Sequence, residues 1–337
     1  MSEKEKTDAR KVYAMVTNID ENIARVLRKL DELKIRDNTI VIFMTDNGPQ
    51  QSRYNAGMRG LKGSVYRGGV RVPFYLRYPA LFKGDKEVEA TAAHIDVLPT
   101  LSVLCNVELP GGRVIDGKNL LPVITKDSKA WSDDRTLFFY WTRRYPELYN
   151  NMALQKGEYK LIGHTGYNSK TEEFELYNIK NDPYEQQNVV NSNRTAANDL
   201  RDQLELLTKE LTCSENLIHP PRIIIGSDQE NPVFLNRNDA DGQPGIWAQE
   251  EIYGLWKVSV RKGSYNIRFK FMNPVKANGQ MCLETKTVIR QMKNQQPDSD
   301  TVEMKNVYLP EMDCDFIPYY MMGTKRIFPF LVEIERI

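Results

Sequence analysis

The chain has 337 residues, 41% hydrophobic and 27% charged, with a formal net charge of +1. That length suits two or three packed units, and so even a charge balance gives no electrostatic footing for a nucleic-acid or membrane-surface partner. No apolar run reaches the roughly 18 residues that a spanning helix needs. The opening, Met1 to Lys11, is charged throughout and lacks the apolar core of a signal peptide. Cys105, Cys213, Cys282 and Cys314 are far apart and form no CxxC pair, so they read as free or buried thiols and leave the compartment open.

In chain order, Tyr13, Val16, Ile19, Ile23, Val26, Leu27, Leu30 and Leu33 fall on one helical face, which predicts an amphipathic helix over residues 9–34. Thr39 to Thr45 is a continuous apolar run stopped by Gly48-Pro49, the pattern of a central strand covered on both faces. Residues 50–71 are glycine-rich and polar, hence loop. Val72 to Tyr78 reads as a second buried strand, and Ile95 to Leu104 as a short helix with Pro99 near its first turn. Helix, tight connection and buried strand together imply an α/β layer fold. A polar linker, Lys126 to Asp134, follows.

From Thr136 the pattern changes. Leu137–Trp141, Met152–Gln155, Tyr159–Ile162 and Phe174–Tyr177 are short strands of an antiparallel sheet, with a turn at Lys156-Gly157. Leu200, Leu204, Leu207 and Leu211 stripe a helix over Thr195–Thr212. A third unit starts near His219-Pro-Pro221. It holds strands at Arg222–Ile225, Val233–Leu235, Leu255–Val260, Tyr265–Phe271 and Phe330–Glu335, with a polar loop from Gln291 to Asp300, and reads as a β-sandwich. The expected division is 1–134, 135–214 and 218–337.

The chemistry concentrates between Ile40 and Pro73. Ligands of parallel α/β sheets bind beyond the carboxyl ends of strands, where Asp46 and Asn47 stand. A carboxylate and an amide carbonyl are hard oxygen donors suited to calcium or magnesium; an Asp-Asn-Gly turn without metal is the competing reading. Lys62, between Gly60 and Gly63, could donate to negative charge developing on an ester oxygen, or be a solvated loop lysine. The order of residues excludes a Walker A loop. Arg71 is expected to pair with a structural carboxylate. Arg143, Arg144, Tyr145 and Tyr149 precede the small sheet and could shape a substrate pocket. Trp247, Tyr253 and Trp256 could stack on sugar rings, or pack in the sandwich core.

Five segments occur together in order: Tyr13 to Asp20, Thr45 to Pro49, Gly60 to Pro73, His94 to Thr100, and Glu175 to Val189. In this the chain, over residues 9–212, resembles the C-terminal half of a formylglycine-dependent sulfatase of the arylsulfatase type. The resemblance implies a partial alkaline-phosphatase-like α/β core with a small antiparallel α+β subdomain, followed by an all-β sandwich of the accessory kind. It implies hydrolysis of sulfate monoesters at a calcium site, with Asp46 and Asn47 as metal ligands and Lys62 on the sulfate. His94 and Asp96 match a structural helix start, with His94 packed or capping. Arg67 departs from the family pattern, which has glutamate before Gly68-Gly69.

The family nucleophile lies in a Cys/Ser-x-Pro-x-Arg motif, and no cysteine or serine of this chain is followed by it. The formylglycine nucleophile is therefore absent from the chain, as are the family's upstream aspartate ligands, second lysine and histidine acid/base. The isolated chain is expected not to turn over sulfate esters, and a split gene, a misassigned start or a fragment would account for it. The expected partners are a sulfated small molecule or glycan and the missing N-terminal half, with no nucleic acid and no membrane. The family suggests a periplasmic or secreted location. Two alternatives stand beside this reading: a catalytically inactive remnant or carbohydrate-binding protein, and a phosphoesterase of the same superfamily.

Overall fold

The computed structural model describes residues 2–125, 135–142, 145–294 and 298–337. It divides into two compact units, Met1–Ile218 and His219–Ile337. The expected linker, 126–134, lies outside the described residues.

The first unit opens with α1 (Glu3–Glu32), six residues earlier than the apolar stripe predicts. Ser2 explains the early start. Its Oγ accepts from the Glu5 N–H at 3.3 Å while Glu5 accepts from the Ser2 N–H at 2.6 Å, a reciprocal cap. The stripe itself is uncovered: Tyr13, Val16, Ile19 and Val26 are exposed, and Ala9 alone is buried in this helix. β1 (Val41–Met44) is followed by the one-turn α2 (Arg67–Val70) and by β2 (Phe74–Arg77). β1 and β2 pair only with each other among the described residues, and they do so antiparallel. This corrects the expectation of buried, central strands. Phe43, Phe74 and Tyr75 are exposed because no other described strand flanks the pair.

α3 (Val97–Leu104) and α4 (Leu121–Thr125) come next. They are tied together by Asp96, which is wholly buried. Its carboxylate accepts from Ala93 N–H at 2.7 Å, Lys118 N–H at 2.8 Å, and both terminal nitrogens of buried Arg135 at 2.7 and 2.8 Å. Burial alone would raise the Asp96 carboxyl. The hydrogen bonds from Arg135, Lys118 and Ala93, with the Arg135 charge, reverse that and hold it below the usual carboxylate range.

The strands β3 (Thr136–Tyr140), β4 (Asn150–Lys156), β5 (Tyr159–His164) and β6 (Glu175–Asn178) form an antiparallel sheet in sequence order. Alternation gives it two buried faces. Met152, Leu154, Leu161 and Leu176 meet Leu200 and Leu204 of α5 (Arg194–Thr212). Ala153, Ile162 and Tyr177 meet Val65 and Tyr66, which belong to the loop carrying Lys62. Each fully buried side chain of this size contributes about 1.5–3 kcal/mol, so the sheet both anchors its own helix and fixes that loop. α6 (Glu215–Ile218) ends the unit.

The second unit is all β: β7 (Ile223–Ile225), β8 (Val233–Asn236), β9 (Asp241–Gly242), β10 (Gly254–Val260), β11 (Gly263–Val275) and β12 (Gln280–Glu284). β13 (Ile289–Lys293), β14 (Ser299–Leu309), β15 (Met312–Met322), β16 (Lys325–Ile327) and β17 (Leu331–Arg336) complete it. One sheet runs β13-β12-β15-β10-β7, with β16 on β15 and β9 on β10; the other runs β14-β11-β17-β8. Both sheets contribute to one core around Trp256, Phe269, Phe316 and Tyr320, which is the expected sandwich. The segment read as a loop from Gln291 instead begins within β13 and reaches β14. A buried guanidinium, Arg237, is satisfied by the carbonyls of Pro329, Ile246, Gln249 and Phe328 rather than by a carboxylate.

Candidate functional site

The antiparallel register sets Met44, the last residue of β1, opposite Phe74, the first of β2. Residues 45–73 are therefore one excursion that leaves and returns at the same end of the strand pair. Asp46 and Asn47 stand at its start and Lys62 in its middle. Topology alone brings the three into one loop system, although the strand pairing is antiparallel and not the parallel one expected.

Glycines close the excursion on itself. The Gly48 N–H donates to the Gly69 carbonyl at 2.9 Å, and the Gly68 N–H to the Arg59 carbonyl at 2.7 Å. The Lys62 N–H donates to the Pro49 carbonyl at 2.9 Å, which bonds the lysine's backbone to the turn just after Asn47. A Cβ on Gly48 would lie 1.8 Å from the Gly68 carbonyl oxygen, so only glycine allows this approach. Gly48→Ala is expected to destabilise the first unit by about 1–3 kcal/mol through overpacking. A chemical denaturation midpoint unchanged from wild type would contradict that packing.

Asp46 and Lys62 are exposed and Asn47 is half-buried. Asp46 Oδ1 accepts from the Asn47 N–H at 2.9 Å, and Asn47 Nδ2 donates to the Gly48 carbonyl at 2.8 Å. That second bond turns the amide so that Oδ1 is its remaining donor atom toward a metal. The two oxygens, one carboxylate and one amide, have the hardness that calcium or magnesium selects. They are a partial set, since calcium takes about six to eight oxygens. Among the described residues, no group of three or more His, Cys, Asp and Glu could hold a metal ion.

Two carboxylates from the small sheet's side hold the Lys62 loop. Glu175 accepts from Tyr66 OH at 2.5 Å and Tyr177 OH at 2.8 Å, and pairs with Arg59 at 3.3 Å. The Arg59 guanidinium also lies 4.0 Å over the Tyr66 ring. Burial would raise the Glu175 carboxyl, but its hydrogen bonds from Tyr66 and Tyr177 and the charge of Arg59 hold it below the usual range. Glu185, fully buried, accepts from the Arg67 N–H at 2.6 Å and from Lys160 Nζ at 2.6 Å. Burial pulls the Lys160 ammonium below the usual lysine range, with Glu185 opposing. In the sequence, Glu175 and Glu185 stand only inside a matched segment; their anchoring role depends on packing that no local pattern encodes.

Of the other sequence candidates, Arg143 and Arg144 lie outside the described residues. Tyr145 is exposed, with its hydroxyl donating to the Thr212 carbonyl at 3.3 Å, near the end of α5. Tyr149 belongs to the core, with its hydroxyl on Glu205 at 2.9 Å, so it shapes no open pocket. His94 is exposed rather than packed, and Asp96 makes the cap instead. Arg71 is exposed and has no ion pair among the described residues; Arg135 is the arginine that meets a structural carboxylate. Burial, with Arg71 nearby, pulls the Arg67 guanidinium below its usual range. Trp256 is core, whereas Trp247 and Tyr253 are exposed. All four cysteines are free, Cys105 and Cys213 exposed, Cys282 and Cys314 buried. No described helix is long and apolar enough to cross a membrane.

Comparison with known proteins shows what this chain is similar to. The family model described as Sulfatase matches residues 2–107, and the one described as N-sulphoglucosamine sulphohydrolase, C-terminal, matches residues 61–211. A sulfatase of Formosa agariphila is 32% identical over 198 residues, covering 53% of this chain and 35% of the relative. The N-acetylglucosamine-6-O-sulfatase of Bacteroides thetaiotaomicron is 30% identical, covering 53% of this chain and 31% of the relative. The mouse steryl-sulfatase is 38% identical over 135 residues, 37% of this chain and 22% of the relative. The chain thus spans about a third or less of the length of these relatives. Among solved structures, the crystal structure of Ps i-CgsB superposes with a TM-score of 0.50 at 24% identity, over 58% of this chain and 42% of that one, a likeness of fold.

Proposed function

We propose that this chain, whose residues 2–107 and 61–211 match two sulfatase family models, is part of a sulfatase and carries the metal-side and sulfate-side contacts of a sulfuric ester hydrolase. The observation that carries the reading is the closed excursion between β1 and β2. It joins the Asp46-Asn47 turn to the backbone of Lys62 through the Pro49 carbonyl. In this proposal Asp46 and Asn47 would hold a calcium ion, which when bound supplies Lewis-acid polarisation of the ester oxygens. Lys62 sets an ammonium against the negative charge of the sulfate group. Glu175 and Glu185 hold the loop, and so the lysine, in place.

Sulfated carbohydrates are the substrate class we assign. Support comes from relatives named for N-acetylglucosamine-6-O-sulfate and N-acetylgalactosamine-6-O-sulfate hydrolysis. The chain contains no Cys/Ser-x-Pro-x-Arg motif, so in this proposal nothing within it attacks sulfur. The residues that do would come from sequence equivalent to the part of the relatives this chain does not span. An exported site of action belongs to the same proposal, on family resemblance.

The test uses an aryl sulfate with calcium. Wild-type chain is expected to bind the ester weakly, in the millimolar range where single charge-assisted contacts operate, without releasing phenol. Lys62→Ala should weaken binding by about tenfold, the worth of one hydrogen bond to a charged group. Equal binding by the variant would remove Lys62 from the sulfate contact.

A further inference from the structure

Charge is spread unevenly along this chain. The excursion from Thr45 to Pro73 carries five cations, Arg53, Arg59, Lys62, Arg67 and Arg71, against the single carboxylate of Asp46, in a chain whose net charge is +1. A segment so dominated by one sign attracts ligands of the other. Of the five, Arg59 alone is in an ion pair among the described residues, with Glu175.

Arg67 and Arg71 have no part in the metal and sulfate contacts. The Arg71 N–H donates to the Arg67 carbonyl at 2.8 Å, so the two stand one helical turn apart, at the start of α2 and just after its end. Residues four apart on a turn are neighbours, and like charges placed there destabilise it. Arg67 is half-buried and Arg71 exposed. Neither guanidinium has an ion pair or hydrogen-bond partner among the described residues. Glu185, whose charge reaches Arg67, is already held by Lys160 Nζ and by the Arg67 N–H, both at 2.6 Å. A half-buried guanidinium beside a second one, with no carboxylate of its own, is a costly arrangement that a bound oxyanion relieves.

The same turn lies against the lysine's segment. A Cβ on Gly69 would meet the carbonyl oxygens of Ser64 and, at 2.6 Å, of Leu61, the residue before Lys62. We propose that Arg67 and Arg71 form a second anion subsite, which takes a further sulfate or carboxylate group of the molecule whose ester sulfate meets Lys62. The subsite rests on the assignment of Lys62 to the sulfate. It narrows the substrate class to sulfate esters that bear a second negative group.

The experiment is equilibrium dialysis in calcium with three probes: phenyl sulfate, 4-carboxyphenyl sulfate and hydroquinone bis-sulfate. Wild type, Arg67→Gln, Arg71→Gln, Arg53→Gln and Lys62→Ala are compared, with a denaturation midpoint recorded for each. Wild type should bind at least one of the two dianions about fivefold more tightly than phenyl sulfate, the scale of a charge-assisted contact discounted for partial exposure. The dianion that gains identifies the second group as carboxylate or sulfate. Arg67→Gln and Arg71→Gln should each lose the preference and keep the wild-type affinity for phenyl sulfate. If Arg67→Gln shifts the midpoint, Arg71→Gln, whose side chain is exposed, decides. Arg53→Gln should keep the preference. No preference in wild type, or a preference that survives in the deciding variants, overturns the subsite alone. So does an equal loss in Arg53→Gln, which would make the effect one of the loop's overall field. Lys62→Ala should weaken all three probes. If it weakens none, the assignment of Lys62 falls, and the second subsite falls with it.

Discussion

Replacing Lys160 with methionine should lower the unfolding free energy of the first unit by about 3–5 kcal/mol. The Lys160–Glu185 pair is buried on both sides, with side chains 2% and 0% exposed and 2.6 Å between them. Removing the ammonium leaves a carboxylate in the interior with the Arg67 N–H as its remaining hydrogen-bond partner among the described residues. The cost is that of an uncompensated buried charge, not the modest net worth of the pair. Glu185 also anchors the start of α2, so the loop bearing Lys62 should loosen at the same time. Denaturant unfolding, followed with hydrogen exchange at residues 60–69, checks both parts. A loss below about 1 kcal/mol, or exchange in the loop unchanged, would contradict the anchoring role. The double variant Lys160→Met, Glu185→Leu should recover part of the loss, because it removes the stranded charge while leaving Arg67 N–H unpaired.

Asp96→Ala should cost the first unit a similar 3–5 kcal/mol or so. Four hydrogen bonds end on this one carboxylate, and the Arg135 guanidinium beside it is itself buried. The same residue sets a pH dependence. Asp96 and Glu175 both have carboxyls held below the ordinary range in the folded chain. A lowered folded value means that the stabilisation is complete above the unfolded carboxylate pKa of about 4 and is lost as pH falls through the folded value. Wild-type stability should therefore drop steeply below about pH 4, and Asp96→Ala should flatten that drop. Thermal unfolding between neutral and acid pH checks it, and parallel acid curves for the two proteins would count against the Asp96 contribution.

The chain's elements were legible where side-chain period and burial agree. The small sheet is the clear case: Met152, Leu154 and Leu161 alternate with Ala153 and Ile162, and both faces are covered. The apolar run before Asp46 misled because its pattern reports a buried strand, while β1 has one partner and Phe43 stands exposed. The stripe on α1 misled in the same way, since amphipathic spacing states what a helix can bury and not what is present to bury it. In the sandwich, β15 escaped notice because Pro318 and Tyr319 interrupt its simple alternation, and β14 because Lys305 and Asn306 break the alternation between Met304 and Val307, where the register shifts.

The candidate site divides along the same line. Asp46, Asn47 and Lys62 were readable as residue types in ordered segments. Their shared loop depends on the β1–β2 register, and on glycines whose importance lies in the backbone atoms they meet. Glu175 and Glu185 act across more than 100 positions of sequence on the Lys62 loop, a distance over which no local pattern carries information.

The most direct measurement is equilibrium dialysis of an aryl sulfate against the pure chain in calcium, with released phenol assayed in the same sample. Weak binding that depends on Lys62, with no product, is the result predicted for a chain holding metal-side and sulfate-side contacts but no nucleophile. Sustained release of phenol, or binding indifferent to Lys62, would contradict it.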